Sequence, residues 1–284
     1  MNNETKLKIQ ELLIKYCDGF DSNNKAANSL RDVSAGTISQ VINNKWDLIS
    51  DKMWLNIGKQ VGLQSSKWVI VETTNYGICK HFLNDAKQHS RVHAIIGSAS
   101  YGKDTSAKDF VAENDSVYLI NCSEFFNKKY FLVQLLRAMG ENTTGTLPEL
   151  VERAVSKINR TDRPVIIFNE ADKLNDPTLY FFITFYNLCE DKCGLVMMAT
   201  EQLINRISRG MFLGRKGYQE IFSRLGRRFI ELKETSKADV TKICMANGVT
   251  STDKIAEIFN KCEGDLRRVK KLVQNEAMKG EQAA

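Results

Sequence analysis

The stretch Gly97-Ser98-Ala99-Ser100-Tyr101-Gly102-Lys103-Asp104-Thr105 follows an apolar run, Val92 to Ile96, and leads into a helical pattern through Ala107 and Phe110. A strand that stops at a glycine-bounded turn before a helix turns several backbone amides toward one point, and such amides cradle phosphate. The two glycines permit the tight wrap, and Lys103 is long enough to reach terminal phosphates. A second apolar run, Val165 to Phe168, ends in Asn169-Glu170. A carboxylate at that place polarises a water for attack on a phosphoryl group. Thr200 closes a third apolar run, Arg224 stands in a basic segment before Gly226-Arg227-Arg228, and Arg267 lies in Glu263-Gly-Asp-Leu-Arg-Arg268. Fixed arginines stabilise the charge that spreads over a transferring phosphoryl group. Thr200 reads equally as a solvated strand end, and Arg267 with Arg268 as exposed helix residues.

The first stretch fits GxxxxGK, the Walker A pattern, at every position but the one after the lysine. A hydroxyl is expected there, and Asp104 stands in its place. The second is a Walker B strand with Asn169 where the first Asp is expected. One reading is an exchange of sides, in which Asp104 supplies the carboxylate for magnesium and Asn169 a neutral partner. The other is decay, in which Asp104 repels the phosphates. A carboxylate about 4 Å from phosphate costs about 4 kcal/mol at an effective dielectric near 20, yet an intervening cation reverses the sign, so both readings stand at this point.

The elements that must position these groups divide the 284 residues into a small and a large part. Residues 4–16 place Leu7, Ile9, Leu12, Leu13 and Tyr16 largely on one helical face. Helices are predicted at Asn23–Ser29, at Ser34–Asn44 with Ser34 as N-cap, and at Asp51–Val61 before Gly62. From Trp68 the composition shifts: a helix over Asn75–Ala86, strands at Val92–Ile96, Asn114–Cys122, Val165–Phe168 and Gly194–Glu201, and helices at Lys128–Met139 and Leu147–Ile158. A helical segment runs from Lys237 to the end. The expected division is 1–66, 67–234 and 235–284.

A formal charge of +6 suits a polyanionic partner without requiring one. The seven cysteines are odd in number and scattered in apolar runs, which points to reduced core residues in a cytoplasmic protein. Cys189 and Cys193 have no second pair or nearby histidine to complete a zinc site. No run of 18 apolar residues exists, so no membrane-spanning segment is expected.

In this order over residues 68–279 the motifs resemble an AAA+ ATPase. Asn169-Glu-Ala-Asp-Lys-Leu174 and the segment Ser223 to Leu232 resemble most closely the group of the phage Mu B transposition protein and its relatives TnsC and IstB. The leading helices resemble a lambda-repressor-like helix-turn-helix. The resemblance implies an α/β fold: a P-loop core with a parallel sheet and a C-terminal helical lid, preceded by a small all-α helix-turn-helix domain. It implies ATP and Mg2+ as cofactors, with Gly97 to Thr105 on the nucleotide and Lys103 and Glu170 catalytic. Asp104 and Asn169 would hold the metal, Thr200 would be sensor 1, and Arg267 sensor 2. Arg224, or else Arg227 or Arg228, would be the finger presented to a neighbouring subunit.

Implied partners are double-stranded DNA, other copies of the chain in an oligomer or helical filament, and a DDE transposase. In the helix-turn-helix, Ser34, Thr37, Ser39 and Gln40 would face base edges, with Arg31 and Lys45 on phosphates. The same bundle also suits a protein-docking domain. Chemistry alone nominates Lys128, Lys129, Arg206 and Arg209 as further phosphate contacts. A replication initiator or helicase loader, or a DNA-binding regulator that does not hydrolyse ATP, would share these motifs.

Overall fold

The computed structural model describes residues 3–62 and 68–283, in two compact units, 1–68 and 69–284. The first unit comprises α1 (Asn3–Cys17), α2 (Asn23–Ser29), α3 (Ala35–Ile42), a 3-10 turn at Trp46–Leu48, and α4 (Asp51–Gln60). Ser22, Ser34 and Ser50 each accept a backbone N–H three residues on, which satisfies donors that a helix start leaves unpaired. Ile9, Leu13, Ala26, Ile38, Val41, Trp54 and Ile57 fill the core. Leu7, predicted on the buried face, is 48% exposed; the inward stripe of α1 runs through Ile9, Leu13 and Cys17. Buried Gln10 reaches from α1 to the carbonyls of Val41 (2.8 Å) and Ile42 (3.2 Å), closing the C-terminus of α3.

The second unit continues with α5 (Thr74–His89), β1 (Val92–Ile96), α6 (Lys103–Glu113), β2 (Val117–Asn121), α7 (Lys128–Ala138), α8 (Leu147–Arg160) and β3 (Val165–Asn169). After a 3-10 turn at Ala171–Lys173 come α9 (Asp176–Cys189), β4 (Gly194–Ala199), α10 (Glu201–Phe212), α11 (Tyr218–Arg224) and β5 (Ile230–Glu231). Three helices close the chain: α12 (Lys237–Ala246), α13 (Thr252–Cys262) and α14 (Leu266–Ala283).

The five strands form one parallel sheet in the order β2-β3-β4-β1-β5. Both faces are covered, as parallel sheets require, and β3 and β4 are buried along their whole length. Strand parity decides which side chain goes where. Ile166, Phe168, Leu195 and Met197 join the core beneath α7 to α11, while Val165, Ile167, Val196 and Met198 join Ala107 and Phe110 of α6 and Leu83 of α5. The next residue after Phe168, Asn169, therefore faces the α6 side. β1 lies between β4 and β5. The connection after β1 passes over one face and that after β4 over the other, which opens a crevice at the carboxyl ends of these two strands. Among the described residues no helix is long and apolar enough to cross a membrane.

Candidate functional site

At the carboxyl end of β1 the chain turns through Gly97 to Gly102 and enters α6. Gly102 caps that helix at φ +91, a conformation that L side chains resist. At Gly97 the demand is for space, since a Cβ there would lie 2.9 Å from Cβ of Leu232. Lys103 folds across its own loop, donating to the carbonyls of Ser98 (3.0 Å) and Gly97. Burial pushes its ammonium below the ordinary value; Cys79, Asp172 and Glu170 pull it up, and Arg267 pushes it further down. Residues from three separate segments thus act electrostatically on one amine.

The two unusual residues touch. Asn169 is 5% exposed at the end of β3, and its side-chain amide donates to Asp104 (3.2 Å) and to Asn121 (2.9 Å). Asn121 ends β2 and is the register partner of Asn169, so the parallel ladder sets the second contact and strand parity the first. The other oxygen of Asp104 pairs with Lys108 at 2.7 Å. Glu170 adopts a left-handed conformation, φ +57, and its carboxylate is held by Lys173 at 2.8 Å. The Thr200 hydroxyl and backbone N–H both donate to Asp172, at 3.0 and 3.1 Å. Thr200 is therefore positioned through a carboxylate that the sequence reading passed over, although Asp172 stands in the Asn169-to-Leu174 phrase.

The last helix brings its first turn onto the loop. The Leu266 N–H donates to the Ser100 carbonyl (3.3 Å), and Leu266 Cδ1 would lie 3.5 Å from a Cβ at Gly102. Asp265 accepts from the backbone N–H groups of Arg267 and Arg268, at 2.7 and 3.2 Å, and from the Ser100 hydroxyl. Burial would raise the Asp265 carboxyl, but these donors outweigh it and hold the group below its ordinary value. Asp239 of α12 accepts from Thr74 at the start of α5, and Asn247, which caps α12, binds the backbone of Val69, which fixes the helical segment to the entry of α5.

Arg224 ends α11, stacked over Tyr186 (5.0 Å) and 3.7 Å from Glu220. None of these is a residue of the phosphate-type loop. Arg227 and Arg228 are exposed in the following turn.

The nominated DNA contacts differ in availability. Lys128 and Lys129 are exposed in the first turn of α7, which contains no acidic residue. Arg209 is exposed. Arg206 differs from the sequence expectation in its engagement: its guanidinium donates to Asp176, the Leu174 carbonyl and the Tyr218 hydroxyl, so it braces the core. In the first unit, Arg31 and Lys45 are exposed and Gln40 is half-buried. The Thr37 hydroxyl is tied to Ser34 at 2.9 Å.

Among the described residues no group of three or more His, Cys, Asp or Glu side chains is placed to hold a metal ion. One carboxylate from Asp104 beside the amides of Asn169 and Asn121 fits a hard cation that keeps much of its water and shares its remaining contacts with phosphate.

Residues 86–207 match the family model of the AAA domain. No curated protein matches the chain in sequence. Among solved structures, NtrX from Brucella abortus in complex with ATP is similar, with a TM-score of 0.48 and 11% identity over 84% of this chain and 58% of that one. The chain thus spans little more than half the length of that protein. A loop, strand ends and a helical segment converge on Lys103, and the residues that match the AAA domain lie within an α/β fold built on a five-stranded parallel sheet.

Proposed function

We propose that the chain binds ATP with Mg2+ at the Gly97–Thr105 loop and, in that state, assembles on double-stranded DNA as an oligomer or helical filament. The resemblance to the Mu B, TnsC and IstB group extends this to DNA transposition, with the assembly selecting the target and activating a DDE transposase. The observation that carries the reading is the seating of Leu266 and Asp265 on Ser100, with Arg267 acting electrostatically on Lys103. A lid arginine in that place senses the terminal phosphate and moves the lid when it is lost.

In this reading the loop amides and Lys103 hold the phosphates, and Asp104 with Asn169 holds the cation. Bound Mg2+ would neutralise charge on the phosphate oxygens. Glu170 orients the attacking water, and Arg224, with Arg227 and Arg228 as alternatives, reaches a neighbouring protomer's nucleotide. Lys128, Lys129 and Arg209 supply phosphate contacts to DNA; cations at the positive end of α7 are at ease only beside an anion. The α3 face of the first unit, with Arg31, Thr37, Gln40 and Lys45, offers a second contact.

One ion pair and one hydrogen-bonded contact favour slow turnover over rapid hydrolysis: Glu170 is paired with Lys173, and Asp172 accepts from Thr200. Electron microscopy of the protein with plasmid DNA, with and without ATP and Mg2+, tests the proposal. Coated duplex only with both present is the expected result. Equal coating without nucleotide favours a DNA-binding regulator, and capture of a replicative helicase in place of a transposase favours a loader.

A further inference from the structure

At the C-terminus of α10 the chain presents Phe212, 88% exposed, and Leu213, 50% exposed. Their backbone is closed by three hydrogen bonds, Leu213 N–H to Arg209, Gly214 N–H to Met211 and Arg215 N–H to Gly210, at 2.9 to 3.0 Å. Gly214 and Gly217, at φ +59 and +87, make the turns on either side of Arg215 and Lys216.

The base of this tip is rigid. The Tyr218 ring lies where a Cβ on Gly210 would be only 2.3 Å away, so the two elements meet without a gap. The Tyr218 hydroxyl donates to Asp176 at 2.9 Å, and Arg206 joins the same carboxylate and the Leu174 carbonyl. The inward arginine therefore anchors the loop to the sheet-end turn beside Asp172. The backbone that carries this exposed phenylalanine is held by its hydrogen bonds and has little freedom left to lose on binding.

Its surroundings name the partner. From Leu203 to Gln219 the chain carries Arg206, Arg209, Arg215 and Lys216 and no acidic residue. With Arg206 committed to Asp176, three exposed cations ring two exposed apolar side chains. Lysine is depleted at the centre of protein interfaces, whereas apolar wedges flanked by Arg and Lys are how proteins pry apart base steps from the minor groove.

We infer that Met211–Lys216 is a DNA wedge: Phe212, backed by Leu213, inserts against a base step, and Arg209, Arg215 and Lys216 hold the flanking phosphates. This rests on the DNA-binding reading above and adds to it a residue that unstacks the duplex.

The test uses the full chain with ATP and Mg2+ on duplexes carrying 2-aminopurine at flexible TA steps, whose fluorescence rises on unstacking. Wild type is expected to raise the signal several-fold. Phe212→Ala is expected to abolish the rise and weaken binding about tenfold, with Phe212→Trp retaining both. Arg215→Ala with Lys216→Ala is expected to keep the rise at saturation but flatten the slope of log affinity against log salt by about 2. Equal brightening and affinity for Phe212→Ala and wild type overturn the wedge. So does a Phe212→Ala protein that fails to self-associate without DNA while each protomer binds duplex unchanged, since the tip is then a protein contact. A wild type that binds no duplex removes the underlying DNA reading instead, and is told apart by that first control.

Discussion

The side-chain amide of Asn169 donates to the carboxylate of Asp104 at 3.2 Å, joining two positions 65 residues apart. Each departs from the residue its motif leads one to expect, and each departure faces the other. A carboxylate moved from strand end to helix start keeps one negative charge between them.

That relationship predicts strong coupling. Asn169→Asp alone sets two carboxylates side by side, and Asp104→Thr alone leaves the pair with none. Each single change is expected to lower phosphate release about tenfold and raise the Mg2+ requirement, while the double change recovers most of the loss. Additive losses in the double variant would rule out an exchange of sides.

Lys173 holds Glu170 at 2.8 Å on a partly exposed surface. Removing it with Lys173→Ala costs under about 1 kcal/mol of stability and frees the carboxylate to orient water. Turnover is expected to rise a few-fold with nucleotide affinity unchanged. A fall in steady-state phosphate release would show that the pair assists hydrolysis.

Asp265 caps α14 and receives the Ser100 hydroxyl. Because its carboxyl is held below the ordinary 3.8, its contribution is present above about that value and is lost as pH falls through the lower folded value. Asp265→Ala should cost about 1 kcal/mol at pH 7, with the difference from wild type shrinking below pH 3.8. Urea melts across pH measure this, and a pH-independent difference would assign the loss to packing.

Arg224 stacks on Tyr186 within its own protomer. Arg224→Ala is expected to leave nucleotide binding intact and reduce turnover in the assembly on the order of 1,000-fold. Mixing it with Lys103→Ala protomers should restore part of the activity, because each supplies what the other lacks. Normal turnover in Arg224→Ala, with the loss appearing in Arg227→Ala or Arg228→Ala, would move the finger along the turn.

Much of the core could be read along the chain because its signals are local. The glycine-bounded loop sits directly after β1, and the apolar run of β3 stops at Asn169 and Glu170. The sheet is parallel because helices separate its strands. What escaped the reading depended on partners distant in sequence. Asp172 meets Thr200 across 28 residues and Asp176 meets Arg206 across 30, so a basic residue that reads as a DNA contact becomes a brace. Asn121 gave the same signal as Asn169, a polar residue closing an apolar run, but only strand register pairs them. β5 is two residues long and is defined by its pairing with Ile95 and Ile96. Leu7 satisfied helical periodicity yet fell outside the stripe that α2 to α4 cover.

Calorimetric titration of ATP into the full chain across a range of Mg2+ concentrations bears most directly on the central claim, that a triphosphate rests on the loop crossed by Lys103. One site per protomer is expected, strengthened by Mg2+ and weakened at least tenfold by Lys103→Ala, which removes a charge-assisted contact. Absence of heat at every Mg2+ concentration, or equal binding by Lys103→Ala, would contradict it.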